Sequence, residues 1–295
     1  MKRLNQTALS FLIYCVITLF VHCNIKAQNT ENALLWKISG KSIDKPSYLF
    51  GTIHLICPED LVISDALKLA FGQTDQLIME IDLSDPKVLM ELQQKLLNPG
   101  MSNIQNQFSE EDKELVDQFL IKEYGAGLSQ FGVLKPFGIL SLVIAKLVPC
   151  PQPASYEIRL GEMAKQNNMT TGALETVDYQ LNLFDNMPQD TILDGITNTI
   201  KEFDKMQAEF QKLIEAYKNQ DLEKMGELIE ESSSMTAFMD QLLNKRNKEW
   251  VPIIVEMLNE KSSFFAVGAG HLGSDNGLVK LLRQQGFTVE PVKLD

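Results

Sequence analysis

Two stretches of this sequence close on the same short pattern. Gly51-Thr52-Ile53-His54-Leu55 follows the apolar run Tyr48-Leu49-Phe50, and Gly268-Ala269-Gly270-His271-Leu272 follows Phe264-Phe265-Ala266-Val267. The chain has 3 histidines, and the third, His22, lies in an N-terminal segment that reads as a removable leader. An imidazole is a general base near neutral pH and the commonest metal ligand. Two of them at matching strand ends, far apart in sequence, point to one site built from two halves. Taken singly, either histidine is more often a satisfied core or surface residue. It is the repetition of Gly-x-x-His after an apolar strand that argues for chemistry. The glycine is expected to let the backbone turn sharply as each strand ends.

Glu80 extends the set. It follows Leu77-Ile78-Met79, and a carboxylate at the end of an apolar strand is costly to bury unless it meets a cation or metal. Its bland reading is a side chain that simply reaches solvent. Asp82, two residues on, could do either job. Two histidines and a carboxylate form the ligand set of an open catalytic metal site. The same groups without metal supply a general base and its partner. Glu175, in Leu174-Glu175-Thr176, reads as a strand-end carboxylate or a carboxylate at a helix start. Arg246, in Asn244-Lys245-Arg246-Asn247, lies on a helix with Trp250, and spacing alone leaves it an exposed arginine.

The elements that must position these groups follow from periodicity. Residues 34–39 and 47–50 read as strands joined by a polar turn. Residues 64–71 read as a helix with Ser64 as N-cap, and residues 76–81 as the next strand. The C-terminus repeats the order, with a strand over 263–267, the motif, a helix over 276–285 and a strand over 287–292. Both ends resemble βαβ units, which favour parallel strands with helices packed on the sheet. In such sheets ligands bind at the carboxyl ends of the strands. Between them the chain is mostly helical: residues 86–97, 110–123, 137–147, 156–167, 189–219, 222–231 and 236–258 show 3.6-residue spacing. Residues 170–174 are one further candidate strand. Met206, Phe210, Leu213 and Tyr217 form an apolar stripe that reads as core. The fold class is therefore mixed α/β (α+β), a small central sheet built from both chain ends with a long helical insertion over about residues 84–260.

Lys2 and Arg3, followed by an uncharged run over residues 8–21, read as a secretory signal cleaved near Ala27, leaving a single domain over residues 28–295. That run is too short to span a bilayer comfortably, and no later segment is long and apolar enough. Export would place the chain in the periplasm or outside the cell. With 27 basic and 39 acidic residues, the net charge is −12. That argues against nucleic acid, whose phosphates need a basic surface. Cys57 and Cys150 survive signal removal, and in an oxidising compartment they either pair or remain two buried thiols.

Phe50-Gly51-Thr52-Ile53-His54, Leu174-Glu175-Thr176, Arg246-Asn247 and Gly268-Ala269-Gly270-His271-Leu272, with Asp275-Asn276-Gly277-Leu278 following, resemble the TraB/GumN family, related to the TIKI proteins and to erythromycin-esterase-like folds. The resemblance spans nearly the whole mature chain. It implies a metal-dependent protease site built from the paired Gly-x-x-His motifs, a glutamate and an arginine. Mapped here, these are His54, His271, Glu80 and Arg246, which lifts Arg246 above an exposed arginine.

The leading reading is an exported hydrolase acting on a peptide or small-molecule substrate, most simply a metal-dependent peptidase. His54 and His271 hold a divalent metal (Mn, Co or Zn), Glu80 is a third ligand or the base that activates water, and Arg246 stabilises an oxyanion. One rival keeps the site without metal, with His54 as general base of an esterase or amidase. The other is a non-catalytic protein that binds metal, a small ligand or a peptide.

Overall fold

The computed structural model describes residues 31–40, 43–231 and 240–294. The expected leader lies outside them, as do residues 236–239 of the expected 236–258 helix. The described chain from Asn32 belongs to one compact unit.

Six strands form one sheet: β1 (Leu35–Ser39), β2 (Ser47–Thr52), β3 (Gln76–Met79), β4 (Thr170–Ala173), β5 (Ser263–Gly268) and β6 (Thr288–Val292), in the order β4-β3-β5-β2-β1-β6. The four strands β4, β3, β5 and β2 run parallel, while β1 pairs antiparallel with both β2 and β6. The first unit is the expected βαβ, with β5 inserted between its two strands. The second departs from expectation. β6 is not a parallel neighbour of β5. It crosses to the far edge and pairs with β1, because the positions beside β5 are already taken by β2 and β3.

Every residue of β2 is buried, and β5 is buried up to its last residue, as central parallel strands covered on both faces must be. Side-chain alternation divides the apolar residues between those faces. Tyr48, Phe50, Leu77, Met79, Phe264 and Ala266 join one core. It is completed by α1 (Asp65–Gly72), α6 (Tyr156–Gln166) and α9 (Phe203–Lys218) through Leu67, Phe71, Leu160 and Tyr217. Leu49, Ile78, Phe265 and Val267 face the other way, against Trp250 and Ile254 of α11 (Arg246–Glu260) and Leu278 and Leu282 of α12 (Leu278–Gln284).

The insertion adds α2 (Pro86–Lys95), α3 (Glu110–Tyr124), α4 (Leu128–Phe131), α5 (Pro136–Ala145), α7 (Val177–Asp185), α8 (Gln189–Lys201) and α10 (Leu222–Glu231). Val116, Leu120, Ile139, Val143, Ile192 and Ile196 give it a core of its own. The single helix expected over 189–219 is two. Glu202, at φ −106° and ψ 28°, breaks it while the apolar spacing runs on through the break. A π-helical turn, Asp240–Lys245, leads directly into Arg246. No helix among the described residues is long and apolar enough to cross a membrane.

Candidate functional site

The four parallel strands end at one edge, and each is followed by a residue of the site. Thr52 of β2 sits opposite Gly268 of β5, and Met79 of β3 opposite both Ala266 and Ala173. His54 follows β2, Glu80 follows β3, Glu175 follows β4 and His271 closes the short 3₁₀ turn Ala269–His271 after β5. Neither motif glycine has a positive φ, so sharp turning is not their use. What matters is the missing Cβ. At Gly51 a Cβ would lie 2.6 Å from Leu272 Cδ1 and 3.0 Å from Ala269 Cα, so the first motif packs backbone-close against the second. At Gly268 a Cβ would stand in the middle of the site, 3.3 Å from Glu80 Oε1, 3.5 Å from His54 Nε2 and 3.8 Å from His271 Cδ2. The three residues therefore face one small gap that a glycine keeps open.

Each imidazole is aimed by an oxygen behind it. His271 Nδ1 lies 2.6 Å from Asn247 Oδ1. The Asn247 amide nitrogen donates to the His271 and Asn276 carbonyls, which fixes the amide so that its oxygen accepts from His271. His271 thus carries its proton on Nδ1 and presents the Nε2 lone pair, with its ring against Trp250 at 4.5 Å between centroids. Burial, and then the Arg246 and His54 charges, push its pKa down to about 3 against the pull of Glu80, so it is neutral. His54 Nδ1 lies 2.9 Å from Glu157 Oε1, leaving Nε2 toward Gly268. Crowding by the protein opposes a charge on His54. The Glu157 carboxylate, by charge and hydrogen bond, outweighs it and raises the pKa to about 9. The ring is 64% exposed, and solvent there tempers the size of that shift without reversing it.

Glu80 is buried. Its Oε1 accepts from the Gly268 N–H at 2.8 Å, its Oε2 from Arg246 Nη2 at 2.6 Å, and His271 Nε2 stands 3.7 Å from Oε1. Burial works against its charge, and His271, Arg246 and the Gly268 N–H together hold its pKa near 2. Because His271 is neutral, Arg246, His54 and the backbone carry that effect at neutral pH.

Arg246 is buried too, and its five N–H groups are all engaged. Nε and Nη2 form a fork on Glu175 at 3.1 and 2.6 Å, and Nη2 also donates to Glu80. Nη1 donates to the Leu242 carbonyl and to His271 Nε2, at 3.0 and 3.2 Å. Glu175 also accepts from Trp250 Nε1 at 3.1 Å, and burial raises its pKa against the pull of Arg246. Gln180 of α7 reaches both Glu175 and Glu80.

The four expected site residues come together here. Asp82 does not: its Oδ1 accepts from the Ser84 N–H and hydroxyl and closes the turn after β3. Sequence reading gave no role to Glu157 or to Asn247, although Asn247 stands in the quoted Arg246-Asn247 motif, and it passed over Gln180; all three sit inside helical stretches with ordinary amphipathic spacing. The nearest signal was the N-cap Ser155 placing Glu157 in a first helical turn. Cys57 and Cys150 are bridged, with Cα atoms 5.8 Å apart.

Among the described residues no group of three or more His, Cys, Asp or Glu side chains is gathered as a ligand cluster. The Arg246 guanidinium takes the His271 lone pair and one Glu80 oxygen instead. The donors nevertheless suit a divalent cation. His54 Nε2, the edge of the His271 ring and a carboxylate border one gap, each imidazole is backed at Nδ1 by an oxygen, and Glu80, Glu157 and Glu175 outnumber the cations Arg246 and His54. Metal-binding histidines are backed at the second nitrogen in this way.

The chain is similar to several curated relatives. It is 25% identical to the metalloprotease TIKI2 of Xenopus tropicalis over 322 residues, covering 90% of this chain and 61% of the relative. It is 25% identical to the human metalloprotease TIKI1, covering 91% of this chain and 64% of that one. A TIKI homologue of Nematostella vectensis is 20% identical, with 90% and 68% covered. The chain thus spans a little over three fifths of the length of the first two. No solved structure matches it. The TraB/PrgY/gumN family profile matches residues 34–291, with both Gly-x-x-His motifs, Glu80, Glu175 and Arg246 inside the match, and the chain belongs to that family.

Proposed function

We propose that this chain is an exported, metal-dependent hydrolase acting on peptides, with one site assembled from both Gly-x-x-His motifs. The observation that carries this is the convergence of His54 Nε2, the Glu80 carboxylate and the edge of the His271 ring at the gap over Gly268, with His271 Nε2 3.7 Å from Glu80 Oε1. The three relatives described above are metalloproteases by name, which supports it. The Cys57–Cys150 bridge agrees with export, since disulfides persist in oxidising compartments.

His54, His271 and Glu80 would hold the cation, which when bound would polarise a scissile carbonyl and acidify a water. Glu80 serves better as ligand than as base, because a carboxylate held near 2 takes a proton from water poorly at neutral pH. Arg246 holds Glu80 and Glu175 in place. Its one N–H that points at His271 would lose that partner to the cation, and is the donor left for an oxyanion. A metal-free His54 base is the rival, and the pull of Glu157 on the imidazole proton does not separate the two, because a base and a metal ligand both need the neutral ring.

The test is turnover of a quenched-fluorescent peptide library by the disulfide-intact protein carrying no histidine tag. Chelation should abolish cleavage, and Mn²⁺, Co²⁺ or Zn²⁺ should restore it. Full cleavage after exhaustive chelation, with no metal in the sample, would return the histidine-base mechanism. Absence of cleavage despite bound metal would leave a binding protein.

A further inference from the structure

Glu157 is buried at the start of α6, and both of its oxygens are engaged. Oε1 accepts from His54 Nδ1 at 2.9 Å and from Thr52 Oγ1 at 2.6 Å, and Oε2 from Ser155 Oγ at 2.7 Å. Its described ion-pair partner is His54. The two residues are 103 positions apart. What brings them together is a frame one turn away. Ile56 and Ala154 exchange both backbone hydrogen bonds, at 3.0 and 2.7 Å, and the Cys57–Cys150 disulfide closes the same two segments covalently. His54 itself is 64% exposed, so packing does little to hold its ring. The contrast with His271 is direct, because that ring is buried against Trp250 and would keep its orientation from packing alone.

We infer that Glu157 is the positioning residue for His54, that it alone aims Nε2 at the gap over Gly268, and that the Cys57–Cys150 disulfide maintains the contact. The inference rests on the proposed metal site for its consequence and not for its geometry. Removing the carboxylate frees an exposed ring to turn, and a ligand that must be re-ordered on binding costs affinity. Outer oxygens on metal-binding histidines are typically worth about 10–100-fold in affinity. Reduction acts through the frame: the bridge takes two electrons and two protons from an external dithiol, which departs as its own disulfide, and two thiols remain.

The experiment uses metal-free protein with ¹⁵N-labelled histidine. The wild type should show a hydrogen-bonded Nδ1 proton for His54. Glu157→Gln, which keeps an accepting oxygen, should retain it weakly, and Glu157→Ala should lose it, with His271 signals unchanged in both. Added dithiol should broaden the His54 signals. Co²⁺ titration should then weaken about 10–100-fold in Glu157→Ala and less in Glu157→Gln. His54 signals identical in Glu157→Ala and wild type would overturn the inference. An unchanged His54 ring after complete reduction would overturn the part given to the disulfide. If Glu157→Ala frees the ring while wild type binds no Co²⁺, the positioning role stands and the metal site falls.

Discussion

Arg246 spends all five of its N–H groups on protein partners, and the cost of removing it follows from what would be left. Glu80 and Glu175 would remain buried, at 8% and 3% side-chain exposure, with no cation between them. Breaking a buried pair by deleting one partner costs about 3–5 kcal/mol. Arg246→Ala should therefore lower the unfolding free energy in urea by about that much. Arg246→Lys should recover little of it, because an ammonium cannot form the fork on Glu175. A loss under ~1 kcal/mol for Arg246→Ala would mean that water reaches these carboxylates. The two histidines should give stability a maximum in pH. His271 has its pKa lowered to about 3 in the folded chain. As pH falls below its ordinary value near 6.5, the unfolded chain takes a proton that the folded one refuses, and stability drops by up to ~1.4 kcal/mol per pH unit. His54 has its pKa raised to about 9, so its contribution is complete below about 6.5 and is lost as pH rises through 9. In denaturant titrations across pH, His271→Gln should flatten the acid side and His54→Gln the alkaline side. A profile unchanged by both variants would contradict these assignments.

The elements that carry the site were largely legible, because each rule behind them acts over a few residues. Ser64 caps α1 as its hydroxyl suggested, and β2, β3 and β5 showed their apolar runs directly. Glu175, read as either a strand-end carboxylate or one at a helix start, stands after β4 and just before the N-cap Thr176. Sheet order was not legible. Nothing local to Thr288–Val292 says that it pairs with Leu35–Ser39 rather than lying beside β5, since that choice depends on which neighbours are already taken. Nor could spacing show that Glu157 faces His54, because the contact is set by a disulfide and a bridge closing a long loop. The use of the glycines was misjudged for a related reason: a close approach between Gly51 and Leu272 joins the two ends of the chain and leaves no trace in either motif alone. Gly51→Ala should cost about 1–3 kcal/mol in thermal or urea unfolding, as overpacking does. Gly268→Ala should behave oppositely. Its φ of −53° and ψ of 135° suit alanine, so stability should hold within ~1 kcal/mol. The added methyl would fill the gap among His54, Glu80 and His271, and cation affinity should fall. Equal effects of both variants on stability and on metal binding would refute this division between a packing glycine and a site glycine.

At the scale of the whole molecule, both ends of the chain meet in the centre of one sheet, so neither motif makes a site without the other. β2 and β5 are paired neighbours although more than 200 residues separate them, and the insertion between them contributes Glu157, Glu175 and Arg246. The insertion also covers the site's flank: Tyr217 of α9 donates its hydroxyl proton to the Gly51 carbonyl, tying that helix to the first motif. The measurement that bears most directly on this account is titration of metal-free, disulfide-intact protein, without a histidine tag, with Co²⁺, read by its visible absorption. One equivalent should bind to the wild type, and His54→Ala and His271→Ala should each abolish that binding while remaining folded. Retention of wild-type binding by both single variants, or no binding by the wild type itself, would contradict a shared metal site.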